Sequence, residues 1–293
     1  MSRPRRAATR SSALARWQAE FVVAALAAVR PELRVELELV DTAGDRRQDV
    51  PIHAMGGQGV FVKEVQAAVL DGRADLAVHS AKDLTTTPTP GLVLAAVPRR
   101  GDPRDALVGR ALADLAPGAT VATGSVRRKA QLAARRPDLT FVDLRGNIGT
   151  RLTKVPEGGA LVMAAVALER LERVDAVAEV LAVDVMVPQV GQGALAVECR
   201  EDDDELRAAL AALQDPASRL ALDVERAFLS ELGGGCDLPV GAHAQVRGDG
   251  VVELSVFAAP EVGPAFRRQE RCAETDAVRV AGDLARAFLA TGA

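Results

Sequence analysis

Short apolar runs alternate with helix-period segments along the first two thirds of this chain, and that alternation constrains its fold most strongly. Leu33, Val35, Leu37 and Leu39 alternate with Arg34, Glu36 and Glu38, the period-two signature of a half-buried strand. A polar loop with Gly44, Gly56, Gly57 and Gly59 follows, then Phe61, Val65, Ala68 and Val69 at helical spacing. Asp71-Gly72 ends that helix, and Ala74 to Val78 reads as a short buried strand. Strand, helix and strand in this order predict a βαβ crossover, hence a parallel pairing.

The pattern recurs. Leu92 to Val97 and Thr120 to Thr123 read as strands on either side of a loop that runs from Arg99 to Asp105. Ser125 opens a helix that reaches Arg135, where Arg136-Pro137-Asp138 breaks it. Thr140 to Leu144 is the next strand, Asn147 to Val155 a helix, and Ala160 to Ala164 a strand. The last quarter differs. Ala217 to Leu232 is a helix, Val240 to Arg247 and Val251 to Ala258 flank the turn Gly248-Asp249-Gly250, and a final helix spans Asp276 to Leu289. The expectation is two α/β units over residues 1–190, joined near 95–105, and a small C-terminal α+β domain. No sequence repeat relates the two units.

Composition removes several function classes. Hydrophobic residues are 48% and charged residues 26%, which excludes wholesale disorder. Lys plus Arg number 36 against 40 Asp plus Glu, so the chain lacks the basic field of a general polyanion binder. With no Tyr and one Trp it lacks a stacking platform for single-stranded nucleic acid. Cys199, Cys236 and Cys272 are too few and too odd for a disulfide framework and fit a reducing compartment. His53, His79 and His243 are scattered, with no C-x-x-C or H-x-x-x-H spacing, so no metal site is expected.

The basic stretch Met1 to Arg10 before the apolar run Phe21 to Val29 superficially matches a signal peptide. Arg16, Gln18 and Glu20 crowd that run, however, and Trp17, Phe21, Ala24 and Ala28 fall at helical spacing. An amphipathic helix explains both, and the stretch is expected to be retained. No segment reaches the length of a membrane span.

Arginines cluster where strands are expected to end. Arg127 and Arg128 follow Thr123-Gly124-Ser125, Arg145 follows Leu144, Arg151 lies just beyond Asn147, and Arg10 precedes Ser11-Ser12. In open α/β sheets ligands bind at the carboxyl ends of strands, where helix N-termini favour anions. Guanidinium forks there predict a carboxylate or phosphate site; for any single arginine a solvated helix face is the plainer reading. His79-Ser80-Ala81-Lys82-Asp83 follows a buried strand, so Asp83 is a candidate acid/base or cation stabiliser, and a plain capping role competes. Gly191-Gln192-Gly193-Ala194-Leu195-Ala196 matches G-x-G-x-x-A, but it precedes a strand, so crossing glycines are preferred over a dinucleotide site. Gly233-Gly234-Gly235-Cys236 places a cysteine on a flexible loop, where it can be a nucleophile or an attachment point.

Together these residues resemble the hydroxymethylbilane synthase (porphobilinogen deaminase) family, in family order and over nearly the whole chain. The resemblance rests on Ala8-Thr9-Arg10-Ser11-Ser12, Gly57-Gln58-Gly59-Val60-Phe61-Val62-Lys63-Glu64 and Ala74 through Asp83. It continues in Asp102-Pro103-Arg104-Asp105, Ser125-Val126-Arg127-Arg128, Leu144 through Leu152, Val190 through Ala194 and Gly234-Gly235-Cys236. It implies two α/β domains like those of periplasmic binding proteins with a cleft between them, residues 1–96 with 193–213 and residues 97–192, and a C-terminal domain, 214–293, carrying the cofactor cysteine. It implies a dipyrromethane joined to Cys236 by a thioether, and an enzyme that removes ammonia from four porphobilinogens in turn and extends them head to tail into hydroxymethylbilane. Asp83 would be catalytic. Lys82, Ser125, Arg127, Arg128, Arg145 and Asn147 would hold the cofactor, and Arg10, Ser12, Arg145 and Arg151 the substrate carboxylates. The partners expected are porphobilinogen and the growing polypyrrole, with no nucleic acid and no membrane, in a cytoplasmic monomer. Gln58, Gly124, Ala167 and Gly233 depart from residues frequent in the family. A solute-binding protein for an organic anion and a LysR-type effector module share the expected architecture and compete with this reading.

Overall fold

Across residues 3–42, 44, 59–233, 239–260 and 263–291, those the computed structural model describes, the predicted alternation becomes three sheets. The elements are β1 (Arg5–Arg10), α1 (Ala13–Val29), β2 (Val35–Val40), α2 (Lys63–Leu70), β3 (Leu76–Ser80), β4 (Leu92–Ala96), β5 (Asp105–Val108) and β6 (Thr120–Ala122). There follow α3 (Val126–Arg135), β7 (Thr140–Val142), α4 (Ile148–Leu152), β8 (Ala160–Ala164), α5 (Ala165–Arg170), β9 (Val177–Val180), β10 (Leu195–Arg200) and α6 (Asp204–Ala211). The chain closes with α7 (Pro216–Glu231), β11 (Val240–Val246), β12 (Val251–Ala258), β13 (Phe266–Ala273) and α8 (Ala277–Leu289). It divides into two compact units, residues 1–100 with 194–220 and residues 101–193 with 221–293.

In the first unit the sheet order is β2-β1-β3-β10-β4. β1 runs parallel to β2 and β3, and β10 runs antiparallel to β3 and β4. Alternation along the strands feeds two cores. Ala7, Leu76 and Val78 face Ala19, Val22 and Leu26 of α1 together with Leu206 and Leu210 of α6. Ala8 and Ala77 face Val65, Ala68 and Val69 of α2. The helix expected around Trp17 exists, but its inward stripe is Ala15, Ala19, Val22 and Leu26. Trp17 and Phe21 instead stack on each other, 5.5 Å between ring centroids, and Phe21 is exposed.

The second unit repeats this topology as β7-β6-β8-β5-β9. β6 is parallel to β7 and β8, and β5 is antiparallel to β8 and β9. Its cores gather Leu107, Val121, Leu132 and Val162 on one face and Ala106, Ala122, Leu161, Met163 and Leu168 on the other. The same unit holds the antiparallel sheet β11-β12-β13, covered by α8 through Phe288, whose ring lies 5.7 Å from that of Phe266. Buried Glu225 of α7 accepts the Gly191 N–H at 2.7 Å and the Ala244 N–H at 2.9 Å, which ties β11 to the segment before β10.

The G-x-G-x-x-A stretch opens β10, a strand with antiparallel neighbours, and no βαβ unit follows it. Its glycines serve a backbone crossing. Gly193 has φ +89°, a Cβ on it would stand 2.6 Å from the Gly101 carbonyl oxygen, and the Gly101 N–H donates to Gly193 O. Gly124, where the family often has Ser, sits where a Cβ would lie 2.8 Å from the Leu144 carbonyl oxygen. Gly233 has φ +74° just after α7, so glycine is the unstrained residue there. Gln58 and Cys236 lie outside the described residues.

Candidate active site

Parallel neighbours bring their carboxyl ends to one sheet edge, and in each unit the candidate residues sit there. In the first unit Ala8 lies opposite Ala77, a register that brings the last residue of β1, Arg10, to the level of the end of β3. Ser12 caps α1, accepting the Ala15 N–H at 3.4 Å, and Thr9 Oγ1 donates to Ala15 O, so the strand end and the helix start are fixed together. The Arg10 guanidinium lies 4.0 Å from the centroid of the Phe61 ring, a cation–π contact. Lys82 and Asp83 occupy the single 3-10 turn Ala81–Asp83 that follows β3, and the Ala81 N–H donates to Ala194 O in the neighbouring β10. Both residues are half-buried. Among the described residues no side chain pairs with the Asp83 carboxylate.

Behind that turn lies a polar group that sequence reasoning missed. Gln18 of α1 donates to Ser80 Oγ at 2.9 Å. Buried His79 places Nε2 3.1 Å from Glu198 Oε2, out of line for a directed hydrogen bond, and Gln66 Nε2 donates to the same oxygen at 2.8 Å. The readable signal is an acid inside the apolar run Ala196-Val197-Glu198-Cys199, because a buried carboxylate must have partners.

In the second unit Ser125 caps α3 beyond the end of β6, accepting the Arg128 N–H at 3.4 Å. Arg127 and Arg128 fold back on fully buried Asp105 at the start of β5. Arg127 Nη2 lies 2.8 Å from Asp105 Oδ2, and Arg127 Nη1 donates to Val187 O at 2.6 Å. Arg128 donates to Asp105 Oδ1 through Nε at 3.0 Å and Nη2 at 2.7 Å, and to Val162 O through Nη1. Burial alone would raise the Asp105 carboxyl, but Arg127, Arg128 and the Gln192 amide outweigh it and hold it below the usual carboxylate range. Burial lowers the Arg127 guanidinium, Asp105 opposes that shift, and the like charge of Arg128 adds to it.

One strand over, Arg145 is half-buried beyond β7, and that burial lowers its guanidinium against the pull of Asp143. Asn147 caps α4, accepting the Thr150 N–H at 2.9 Å, and Arg151 Nε donates to Gly146 O at 2.7 Å. The first edge therefore gathers Arg10, Ser12, Lys82 and Asp83, and the second Ser125, Arg127, Arg128, Arg145, Asn147 and Arg151. Sequence reasoning missed Asp105 and Phe61, which lay in quoted motifs without a role.

Residues 6–208 match the family described as "Porphobilinogen deaminase, dipyromethane cofactor binding domain", and residues 220–290 match "Porphobilinogen deaminase, C-terminal domain". The porphobilinogen deaminase of Syntrophotalea carbinolica is 45% identical over 98% of this chain and 93% of its own length. That of Roseiflexus sp. RS-1 is 47% identical over 97% and 95%. The chain belongs to the porphobilinogen deaminase family. Membership carries the family's activity in tetrapyrrole biosynthesis and its dipyrromethane cofactor. Solved structures with a resemblance include YhfZ from Shigella flexneri, 17% identical with a TM-score of 0.39 over 75% of this chain and 87% of that one. A periplasmic binding protein of Salmonella typhimurium is 13% identical with a TM-score of 0.40 over 74% and 94%. At such scores they carry no argument, and the fold class rests on the sheets described above. Among the described residues no helix is long and apolar enough to cross a membrane.

Proposed function

We propose that Asp83 is the catalytic carboxylate with which this porphobilinogen deaminase builds hydroxymethylbilane. Lys82, Ser125, Arg127, Arg128, Arg145 and Asn147 hold the dipyrromethane joined to Cys236, and Arg10, Ser12, Arg145 and Arg151 hold substrate carboxylates. The observation that carries this reading is the Asp83 carboxylate, half-buried at a strand end with no side-chain partner among the described residues.

The donor chemistry fits the cofactor. Each pyrrole carries an acetate and a propionate, and guanidiniums match carboxylates two bonds at a time. Arg127 Nη2 is taken up by Asp105 Oδ2 at 2.8 Å, whereas Arg127 Nε is buried without a hydrogen-bond partner among the described residues, which leaves one donor for an added carboxylate. When bound, dipyrromethane supplies the nucleophilic pyrrole carbon on which the chain is extended.

Loss of ammonia from porphobilinogen leaves a cationic azafulvenium. A carboxylate fixed beside the pyrrole N–H groups stabilises that charge as it develops, and it can manage the proton that leaves with ammonia. Arginines at the strand ends orient the ring by its acid arms, so the reacting carbon is placed before chemistry begins. The reading keeps three domains, 1–96 with 193–213, 97–192 and 214–293, in a cytoplasmic monomer without a nucleic-acid partner.

A solute-binding protein with the same architecture would bind porphobilinogen and release nothing. The test is ammonia release by the purified chain incubated with porphobilinogen, measured beside linear tetrapyrrole. The enzyme reading expects four ammonia per tetrapyrrole; binding without ammonia release would overturn it.

A further inference from the structure

Asp105, Arg127 and Arg128 form a buried cluster of one carboxylate and two guanidiniums, exposed by 0%, 3% and 8%. Gln192 Nε2 also donates to Asp105 Oδ1, at 3.0 Å, and brings no charge. Among the described residues the charged groups acting on Arg127 are Asp105 and Arg128, so within them the cluster holds one positive charge in excess, away from water. A buried charge is tolerated when paired and hydrogen-bonded; Asp105 Oδ2 meets Arg127 Nη2 at 2.8 Å, but Arg127 Nε is buried without a hydrogen-bond partner among the described residues. Arg128 is the more open edge, beside the half-buried N-cap Ser125.

We propose that Asp105 is a positioning residue for the anion site of the second unit: it orients both guanidiniums and, by cancelling one of their two charges, sets the site to accept a single carboxylate. The proposal rests on the strand-end arginines being that anion site. Asp105 reaches neither cofactor nor substrate; it acts through the arginines. Without it the two cations would repel each other, and Arg128 would lose the Oδ1 that aligns it and Arg127 the Oδ2 it pairs with. With it, each fork keeps one face committed to protein.

The test uses the full chain made in cells that supply no porphobilinogen, with the bare mass confirmed, and follows melting temperature against sodium acetate at constant ionic strength. Stabilisation grows with each ion that binds the folded state alone. Wild type is expected to rise with acetate. Asp105→Asn, with two uncompensated cations, is expected to rise more steeply than wild type per decade of acetate, and Arg127→Gln, which leaves a neutral Arg128–Asp105 pair, is expected to keep only the shallower slope that Arg10, Arg145 and Arg151 supply. Asp105→Glu should recover the wild-type slope even if its absolute melting temperature is lower. A purely structural Asp105 predicts lower melting temperatures with one common slope, and that result overturns the proposal, as does a Glu variant that follows Asn. If Asp105→Asn does not fold, wild type against Arg127→Gln still decides: equal slopes reject the charge count. The mass of the wild-type protein from ordinary cells separates the two readings. A wild type without an adduct would reject the cofactor assignment, whereas the acetate slopes alone judge Asp105.

Discussion

At the residue scale, two carboxylates have opposite environments. Asp105 is sealed and paired, whereas Asp83 is half-buried without a side-chain partner among the described residues. A group that stabilises a developing cation acts on the transition state, so its loss appears in kcat rather than in binding. Asp83→Asn keeps size and hydrogen bonding but removes the charge; kcat per folded, cofactor-loaded molecule is expected to fall about 10²–10³-fold, with KM and melting temperature little changed. Asp83→Glu keeps the charge and should retain part of the activity. A structural Asp83 would instead lower stability in both variants, with kcat following only the folded fraction. For Asp105 the readout is acid stability. Its carboxyl is held below the usual range, so the folded protein binds fewer protons than the unfolded chain there. Its contribution is complete above the ordinary aspartate pKa of about 3.9 and is lost as pH falls through the lower folded value. The melting-temperature gap between wild type and Asp105→Asn should therefore be widest near neutrality and close in that acid window.

At the element scale, β1 depends on charge as much as on burial. Asp75, fully buried just before β3, accepts the Arg6 N–H and pairs with Arg3 at 2.9 Å and Arg5 at 3.3 Å, while Arg200 at the end of β10 approaches to 3.7 Å. Asp75→Ala should cost about 3 kcal/mol, the lower end for breaking a buried pair because the arginines keep some solvent. That is a fall of several degrees in melting temperature, with kcat per folded molecule unchanged; an unaltered melting temperature would show the clamp to be ornamental. The same arginines explain why β1 is hard to read from sequence: Arg3, Arg5 and Arg6 look like a basic leader until Asp75, Asp203 and Glu205 are brought to them. β13 is hidden for a related reason, since its residues Arg267 to Arg271 carry no apolar alternation on an edge strand. β8, the hairpin β11–β12 and the capped helix α3 were legible, because period, turn glycines and the Ser125 cap all agreed there. The inward face of α1 was not, since Trp17 and Phe21 carry the same helical spacing as the buried stripe Ala15, Ala19, Val22 and Leu26 and pack on each other instead.

At the scale of the whole molecule, one topology occurs twice without a repeat in sequence, and each copy presents charged side chains at the carboxyl edge of its parallel strands. The place of the arginines at the strand ends was legible because strand and helix periods locate those ends in sequence, and in such folds ligands bind there. Their counter-ion, Asp105, was not, because the partnership joins residues more than twenty positions apart through a β5–α3 contact that no local pattern records. The function proposed above puts a covalent dipyrromethane on Cys236. The other two thiols are poorly suited: burial pushes Cys199 up to about 11, and burial also raises Cys272, with Asp276 adding to the shift. The most direct measurement is the intact mass of the protein purified from cells that make porphobilinogen, followed by peptide mapping. The expected mass exceeds that of the sequence by two linked pyrrole units, all on the peptide containing Cys236 and absent in Cys236→Ser. A bare sequence mass, or an adduct on Cys199 or Cys272, would contradict it.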